Sequence, residues 1–311
     1  MKLTIFTPTY NRANVLHRVF DSLKAQTFKE FEWLIIDDGS TDETNSLIRE
    51  WQASPCIDFP IRYIWQENQH KKAAHNRAVW EARGDLFLVF DSDDRCVPEA
   101  FERFLMYWNS IPQEEQKKFV GVSGLCKTTE GNIVGECFPC NTWMDSDFLE
   151  MRYRYHVRSE KWCMMQVHIL REYSFRDDLP GYVPEGTIWS AIARTYKTRF
   201  FNEALRIYYF DTPGIMLRKG NLYDVKKNSV GHAYGKEKTL SDDIQWFLHS
   251  PVWFYLEAAR LFRFWIHTDR RNRRSLRLWP VSRLGKFLLV IAVPLGLIMW
   301  LCDSWRSKNS T

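Results

Sequence analysis

A short acidic segment has the residue types that bind metal ions. Residues 91–94 read Asp-Ser-Asp-Asp and directly follow the apolar run Leu86–Phe90. The carboxylates of Asp91 and Asp93 can offer hard oxygen ligands to Mg²⁺ or Mn²⁺, whose open positions a diphosphate can fill. The alternative interpretation is a polar turn that caps the next helix, a use of Asp and Ser that is common in proteins.

Two further polar segments also follow apolar runs. Residues 7–12 read Thr-Pro-Thr-Tyr-Asn-Arg, and residues 37–42 read Asp-Asp-Gly-Ser-Thr-Asp. The intervening patterns predict strands at Leu3–Thr7, Trp33–Asp37, Ile61–Trp65 and Leu86–Phe90, and helices at Ala13–Gln26, Asp42–Trp51 and Ala73–Ala82. This βαβαβαβ order predicts a parallel sheet with helices on both faces. Ligands bind at the carboxyl ends of such strands, so we expect all three polar segments at one edge of the sheet.

The rest of the chain divides into two kinds of sequence. Further elements are predicted as strands at Phe119–Cys126, Asn132–Glu136 and Arg199–Phe210, and as a helix at Gly186–Tyr196. From residue 212 onward the chain is basic, with 17 Lys/Arg against 7 Asp/Glu, which indicates an anionic partner such as a membrane or a nucleic acid. We therefore expect a catalytic domain over residues 1–211, a basic, aromatic, helical extension over 212–285, and an apolar membrane-associating segment over 286–303.

The composition is that of a globular protein. Apolar residues make up 45% of the chain and charged residues 26%, which excludes a disordered chain. The seven cysteines are spread thinly, and a strand pattern begins at Leu3 in place of a secretory signal. We therefore expect reduced thiols and a cytoplasmic setting.

Together, the three polar segments resemble glycosyltransferase family 2, whose members have the GT-A fold. Residues 7–12, 35–42 and 90–94 match the family pattern in order and spacing. Residues 68–78 are similar to the family's Asn-x-Gly segment, but His70 stands where glycine is usual. The resemblance covers roughly residues 1–210. It implies an α/β fold with a GT-A (Rossmann-like), mostly parallel sheet flanked by helices. The basic, aromatic pattern beyond residue 211 predicts a C-terminal helical, membrane-associating tail.

The resemblance also implies roles for individual residues. The residues that would bind the nucleotide-sugar donor are Pro8, Thr9, Tyr10, Arg12, Asp38, Lys71, Asn76, Asp91 and Ser92. Asp38 would accept a hydrogen bond from the base, commonly uracil, and Asp91 would contact the ribose or the metal. Asp93 would be the main ligand of Mn²⁺ or Mg²⁺, with Asp94 as the alternative. Lys71 would meet the diphosphate, although a solvated lysine at a helix start is an equal interpretation.

The acceptor side is less regular. Glu185 fills the position that a catalytic base takes before a helix in the family, where Glu-Asp is frequent, and Gly186 replaces the second acid here. The alternative is a helix-start glutamate stabilised by the helix dipole, and Asp177 and Asp178 compete for the role of base. The implied reaction is an inverting, metal-dependent transfer of a hexosyl or N-acetylhexosaminyl group from a UDP-sugar to a hydroxyl acceptor. Bacterial surface polysaccharide assembly on a lipid carrier is the implied setting.

Two other classes of function are alternatives to a transferase. A dinucleotide-dependent oxidoreductase would have Gly-x-Gly-x-x-Gly after the first strand, where Thr-Pro-Thr-Tyr-Asn-Arg is found. A non-catalytic protein that binds a sugar nucleotide, or a nucleic acid through its basic tail, is the second alternative. The Asp-x-Asp segment and Glu185 argue against it, and we expect no nucleic-acid partner.

The C-terminal tail has the features of a membrane anchor. Phe287–Cys302 is an uncharged run whose length as a helix is about 24 Å, short of the roughly 30 Å hydrocarbon core, and it contains Pro294 and Gly296. Upstream lies a basic cluster of Arg270, Arg271, Arg273, Arg274, Arg277, Arg283 and Lys286. We therefore expect a shallow, re-entrant or interfacial anchor on the anionic cytoplasmic face of the cell membrane. The alternative is a buried C-terminal helix.

Overall fold

The computed structural model describes residues 2–210 and 222–308, and in the second stretch it describes side chains from 225 to 306. The described chain separates into two compact units. Unit 1 contains residues 2–174 and 192–210, and unit 2 contains residues 175–191 and 222–308. The boundary that the sequence predicts at residue 212 lies outside the described residues.

Unit 1 is built on one mixed β-sheet. Its strands are β1 (Leu3–Thr9), β2 (Phe31–Asp37), β3 (Ile61–Trp65), β4 (Leu86–Val89), β5 (Arg95–Cys96), β6 (Phe119–Thr128), β7 (Trp143–Ser146), β8 (Lys161–Gln166) and β9 (Lys197–Tyr208). Among the described residues the order across the sheet is β3-β2-β1-β4-β8-β6-β9-β5, and β7 pairs with β9.

The N-terminal half of the sheet is parallel, as the sequence predicts. β1 pairs in parallel with both β2 and β4, and β2 pairs in parallel with β3. β8 is antiparallel to β4 and β6, and β5 and β7 are antiparallel to β9. The first four strands therefore end at one edge, and the chain returns to that edge from the other half of the sheet through β9.

The strand predicted at 132–136 is wrong. A turn follows β6, with Gly131 at φ +89°, but only an isolated antiparallel bridge joins Lys127 to Ile133. The Val134 amide still donates to the Cys126 carbonyl oxygen at 2.9 Å, but further along the chain the Glu136 carboxylate accepts from the backbone amides of Arg158 and Ser159. The alternating pattern therefore gives a turn and a single bridge in place of a strand at 132–136.

Helices accompany the strands of unit 1. They are α1 (His17–Lys24), α2 (Thr44–Ala53), α3 (His70–Glu81), α4 (Ala100–Asn109), α5 (Phe148–Tyr153) and α6 (Val167–Glu172). The first helix begins four residues later than predicted, because turns occupy residues 13–16. The third begins three residues earlier than predicted, at His70. Aromatic rings fill the core between sheet and helices, with Trp33, Phe101, Phe104 and Trp162 all fully buried.

Unit 2 is helical in its described part. Its helices are α7 (Gly186–Ala193), whose last turn runs into unit 1, then α8 (Leu222–Lys227), α9 (Ser229–Asp242), α10 (Pro251–His267) and α11 (Arg283–Lys308). α11 packs along α10, and its side chains Leu288, Leu289 and Ala292 are buried. An added Cβ at Gly296 would lie 2.8 Å from the Ala259 carbonyl oxygen, so this glycine permits close packing of the two helices.

The C-terminal helix is longer than the sequence predicts. It has 26 residues, or about 39 Å, and it continues through Pro294. The predicted segment ended at the first charges, but the helix continues past Asp303. The carboxylate of Asp303 is paired with side chains of α10. Arg263 donates two hydrogen bonds to its carboxylate at 2.6 and 2.7 Å, and His267 Nε2 lies 2.9 Å from it.

Candidate active site

The Asp-Ser-Asp-Asp segment, residues 91–94, lies in a turn directly after β4 and is here called the acidic turn. An arginine from β9 holds it. Arg206 Nε donates to Oδ2 of Asp94 at 2.6 Å, and its Nη2 donates to Oδ2 of Asp91 at 2.7 Å. Asp94 is buried, and burial raises its pKa to about 6, with the Arg206 charge opposing the rise and the neighbouring carboxylates of Asp91 and Asp93 adding to it. The backbone amide of Tyr209 also donates to Asp94.

Two cations predicted to bind the donor lie beside the same turn. Lys71 Nζ is 2.8 Å from Oδ1 of Asp91, and Arg12 Nη2 is 4.0 Å from Oδ2 of Asp93. Burial raises the pKa of Asp91, but Lys71 and Arg206 together outweigh it and hold the pKa of this carboxyl well below its usual range. Asp91 is therefore ionised and has a cation on each oxygen.

The loops after β1 and β2 are joined by Asn11. This residue has a left-handed backbone with φ +52°, and its side-chain oxygen accepts from the amides of Thr41 and Asp42. The Asn11 amide donates to Ser40 Oγ at 2.8 Å. These contacts hold the loop that carries the neighbouring Tyr10, a residue that is 49% exposed.

Asp38 is buried where β2 ends, beside Thr9. Its amide donates to the Thr9 carbonyl oxygen, and its Oδ1 accepts from Gln66 Nε2 at 2.8 Å and from the Gln69 amide at 3.0 Å. Among the described residues no donor contacts its Oδ2, and the buried hydroxyl of Thr9 has no hydrogen-bond partner. Oδ2 of Asp38 and the Thr9 hydroxyl can therefore form hydrogen bonds with polar groups of a ligand.

The remaining donor-site predictions fall on the same elements. Pro8 pairs with Ile36 in the β1–β2 register, Ser92 is buried in the acidic turn, and Asn76 is half-buried on α3. The neighbouring Asp37 has a structural role, because Tyr63 donates to one of its oxygens and the Ser40 amide to the other.

His70, which stands where glycine is usual in the family pattern, has a backbone conformation that glycine favours. His70 begins α3 with φ +68°, in the left-handed region. A side chain with a Cβ costs about 1–2 kcal/mol in that conformation. The loop that leads to Lys71 therefore has the left-handed backbone expected of a glycine, and the Cβ of His70 makes that conformation unfavourable.

Glu185 belongs to unit 2 and immediately precedes α7. Its backbone carbonyl accepts from the amides of Ile188 and Trp189, and its side chain is partly buried. Among the competing acids, Asp178 accepts two hydrogen bonds from Arg176, at 2.6 and 2.7 Å. Asp178 is therefore engaged by an arginine, and Asp177 is exposed beside it.

The acidic turn fits a divalent ion that takes few protein ligands. The described residues contain no group of three or more His, Cys, Asp or Glu side chains that could hold a metal by themselves. Mg²⁺ usually takes only one or two carboxylates, with water and substrate phosphates as its other ligands. Asp93 and Asp91 are both partly exposed, at 21% and 24%, and Lys71 and Arg206 each contact one oxygen of Asp91.

Sequence reasoning missed several residues that shape this site. Arg206 and Tyr209 contact the acidic turn from the end of β9, and Arg18 donates to the Asp93 carbonyl oxygen at 3.1 Å while it stacks 4.0 Å from the Tyr209 ring. An isolated arginine in a strand pattern gives no local signal of this kind. The only sequence signal for Arg206 is its residue type, because an arginine that becomes buried needs a carboxylate partner.

The sequence matches a family model and several curated proteins. Residues 4–114 match the model described as Glycosyl transferase family 2. The chain is 26% identical over 215 residues to GalNAc(5)-diNAcBac-PP-undecaprenol beta-1,3-glucosyltransferase of Campylobacter jejuni, a match that covers 67% of this chain and 64% of that protein. It is 37% identical over 93 residues to glycosyltransferase GlyA of Streptococcus pneumoniae, covering 30% of this chain and 13% of that protein. The matches thus span less than two thirds of these relatives.

Solved structures share the fold at low sequence identity. S. aureus TarS 1-349 in complex with UDP-GlcNAc superposes with a TM-score of 0.60 and 17% identity, covering 100% of this chain and 93% of that one. Mannosyltransferase PcManGT from Pyrobaculum calidifontis, in complex with GDP-Man and Mn²⁺, gives a TM-score of 0.56 and 16% identity, covering 98% and 84%. These similarities support the GT-A architecture of the chain.

Proposed function

We propose that this chain transfers a sugar from a nucleotide-diphosphate donor to a hydroxyl acceptor, a function supported by the match of residues 4–114 to the model of Glycosyl transferase family 2. The observation that carries this proposal is the convergence of Asp38, Asp93, Arg12 and Lys71 at the carboxyl ends of β1, β2 and β4. Carboxylates and cations at one edge can read a base and hold a diphosphate, and TarS in its UDP-GlcNAc complex supports a nucleotide sugar as donor.

In this proposal the donor is a UDP-sugar. Oδ2 of Asp38 accepts the N–H of the uracil, the Tyr10 ring stacks on the base, and the Thr9 hydroxyl hydrogen-bonds to a polar atom of the nucleoside. Lys71 and Arg12 supply positive charge to the diphosphate, at the cost of their contacts with Asp91 and Asp93. Ser92, Pro8 and Asn76 complete the proposed donor site, and Asp91 contacts the ribose.

The proposed metal is Mn²⁺ or Mg²⁺, with Asp93 as its main ligand and Asp91 as the second. A divalent ion bound there would neutralise charge on the departing diphosphate. The Mn²⁺ in the PcManGT complex supports a metal in this fold. The chain's own contribution is to hold the Asp93 carboxylate at the turn, through Arg18 on its backbone oxygen and Arg206 on its neighbours.

The proposed base is Glu185, and the proposed outcome is inversion at the anomeric carbon. Glu185 takes the proton of the acceptor hydroxyl as the acceptor oxygen forms a bond to the anomeric carbon. The bond from that carbon to the diphosphate oxygen breaks, and the nucleoside diphosphate leaves with the electron pair. A single displacement of this kind inverts the configuration, and the transferred group is a hexosyl or N-acetylhexosaminyl unit.

The proposed acceptor is a lipid-linked glycan in cell-surface polysaccharide synthesis. The similarity to a transferase whose name specifies an undecaprenol-linked substrate supports this choice. The proposed location is the cytoplasmic face of the cell membrane, with the tail as the anchor.

The tail offers a structural basis for that location. In the described residues, the segment Arg283–Arg306 is the one helix long and apolar enough to cross a membrane, although core helices of soluble proteins can meet the same criteria. One face of α11 packs on α10, and the exposed side chains on the rest of its surface include Phe287, Val290, Ile291, Ile298, Leu301 and Trp305, here called the apolar stripe. With the arginines of 270–277, this arrangement favours insertion along the membrane surface.

The test is donor binding followed by turnover. A panel of nucleotide sugars is added to the full-length protein with Mn²⁺, and thermal shifts are measured. A UDP-sugar that raises the melting temperature is then supplied with an undecaprenyl-linked acceptor. Transfer with release of UDP supports the proposal. Binding without turnover would favour a non-catalytic sugar-nucleotide-binding protein, and absence of any nucleotide-sugar binding would contradict the proposal.

A further inference from the structure

Arg206 is an unusually placed arginine near the end of β9. Its side chain is 4% exposed, and it reaches two carboxylates of the turn after β4 and one oxygen of Glu160 at 3.4 Å. It lies opposite Cys96 in the β5–β9 pairing, next to the strand that follows the acidic turn. Removing the carboxylate partners of a buried arginine is strongly destabilising. The contacts of Arg206 therefore constrain the turn.

Arg206 contacts two of the three carboxylates of the turn. Asp91 and Asp94, the outer two, are fixed by its guanidinium, and Asp94 is additionally held by the Tyr209 amide. Asp93, the middle one, has its backbone oxygen held by Arg18, which stacks on the Tyr209 ring. The orientation of the Asp93 side chain therefore depends on the end of β9 from both sides.

We propose that Arg206 is a positioning residue for the donor site, which sets the geometry of Asp93 by fixing Asp91 and Asp94. This inference rests on the proposed function, because the ligand that Asp93 helps to hold is the metal-bound diphosphate of the donor. A lysine at position 206 keeps the charge but has one nitrogen in place of the planar fork, so it cannot bond both carboxylates in the same geometry.

Arg199 supplies a matched control on the same strand. It is also 4% exposed, and it donates through Nε and Nη2 to both oxygens of Asp145 at 2.8 Å. Asp145 and Asp91 have similar exposure, 25% and 24%. The pair Arg199–Asp145 therefore resembles Arg206–Asp91 in burial, strand and charge, but it does not contact the acidic turn.

The experiment compares Arg206→Lys with Arg199→Lys in the full-length protein. Affinity for UDP in the presence of Mn²⁺ is measured by calorimetry, and the melting temperature is measured without ligand. We expect both variants to melt lower than wild type. Only Arg206→Lys should lose UDP affinity, by about tenfold or more, as for residues that orient metal ligands.

The outcomes separate this inference from the proposed function. If wild type binds UDP and both variants bind it equally well, the positioning role is wrong and the proposed function stands. If wild type binds no UDP, the proposed function fails and the positioning role fails with it. If Arg206→Lys does not fold, Asp94→Asn replaces it, because that change removes the charge of one partner of Arg206 and nearly keeps the side-chain volume. Unchanged UDP affinity in Asp94→Asn would then overturn the inference.

Discussion

Arg206 and Asp94 are 112 positions apart in the chain, yet Nε of the arginine donates to the aspartate at 2.6 Å inside the protein. The contact joins the end of β9 to the turn after β4, across a sheet in which β8 and β6 lie between those strands. The acidic turn therefore does not owe its shape to its own sequence alone. Its geometry depends on a strand contributed by the other half of unit 1.

Replacing Asp93 by asparagine should abolish most of the sugar transfer. The change removes the charge that would bind a divalent ion and keeps the side-chain size, so transfer should fall by about a hundredfold or more while the melting temperature stays near wild type. Asp58→Asn is a control, because Asp58 forms an exposed pair with Lys29 far from the acidic turn in sequence. Wild-type transfer rates in a chelated, metal-free assay would refute the metal role.

Glu185→Gln tests the proposed base. Glutamine keeps the size of the side chain but cannot take a proton, so donor binding should persist while turnover falls by about a hundredfold or more. Asp178→Asn is the matched control, since its carboxylate is engaged by Arg176 and should contribute little to turnover. If Glu185→Gln turned over normally and Asp178→Asn or Asp177→Asn did not, the base would have to be reassigned.

The left-handed backbone at His70 makes a separate prediction about stability. His70→Gly and His70→Ala both remove the imidazole, so whatever the ring contacts is lost in each. Only glycine also removes the Cβ that is unfavourable at φ +68°, and His70→Gly should therefore be more stable than His70→Ala by about 1 kcal/mol. Urea unfolding of the two variants measures this difference. Equal unfolding midpoints would show that the loop relieves the strain by moving.

The first four strands and the acidic turn could be predicted because their signals are local. Apolar runs such as Trp33–Asp37 followed by polar residues identify a buried parallel strand and its carboxyl end without knowledge of the rest of the fold. The location of Lys71 and Arg12 beside the acidic turn follows from the same rule, since parallel strands end at one edge.

Long-range contacts could not be predicted in the same way. The pairing of Arg206 with Asp91 and the fixing of two loops by Asn11 depend on which strands become neighbours, and no sequence pattern near either residue specifies that. The error at residues 132–136 has a related cause. Alternation around the Glu130-Gly131 turn favours a longer hairpin, but the backbone bonds to β6 stop at Val134, and the Glu136 side chain bonds to amides at 158 and 159.

The last prediction concerns the apolar stripe of α11. Replacing Phe287, Ile298 and Leu301 by serine removes apolar surface that is exposed and does not support packing on α10, so the fold should persist. Because fully burying one such side chain contributes about 1.5–3 kcal/mol, and about 1.4 kcal/mol is a tenfold change in affinity, the triple variant should bind vesicles containing phosphatidylserine at least about tenfold more weakly. Trp80→Ser, which alters a similarly exposed apolar side chain in unit 1, should leave binding unchanged. The measurement is co-sedimentation with vesicles, with salt expected to release wild type in part, through the arginines of 270–277, and detergent to release it fully. Full-length wild type that stays in the supernatant at low salt, or a triple variant that sediments as wild type does, would contradict the proposed anchor.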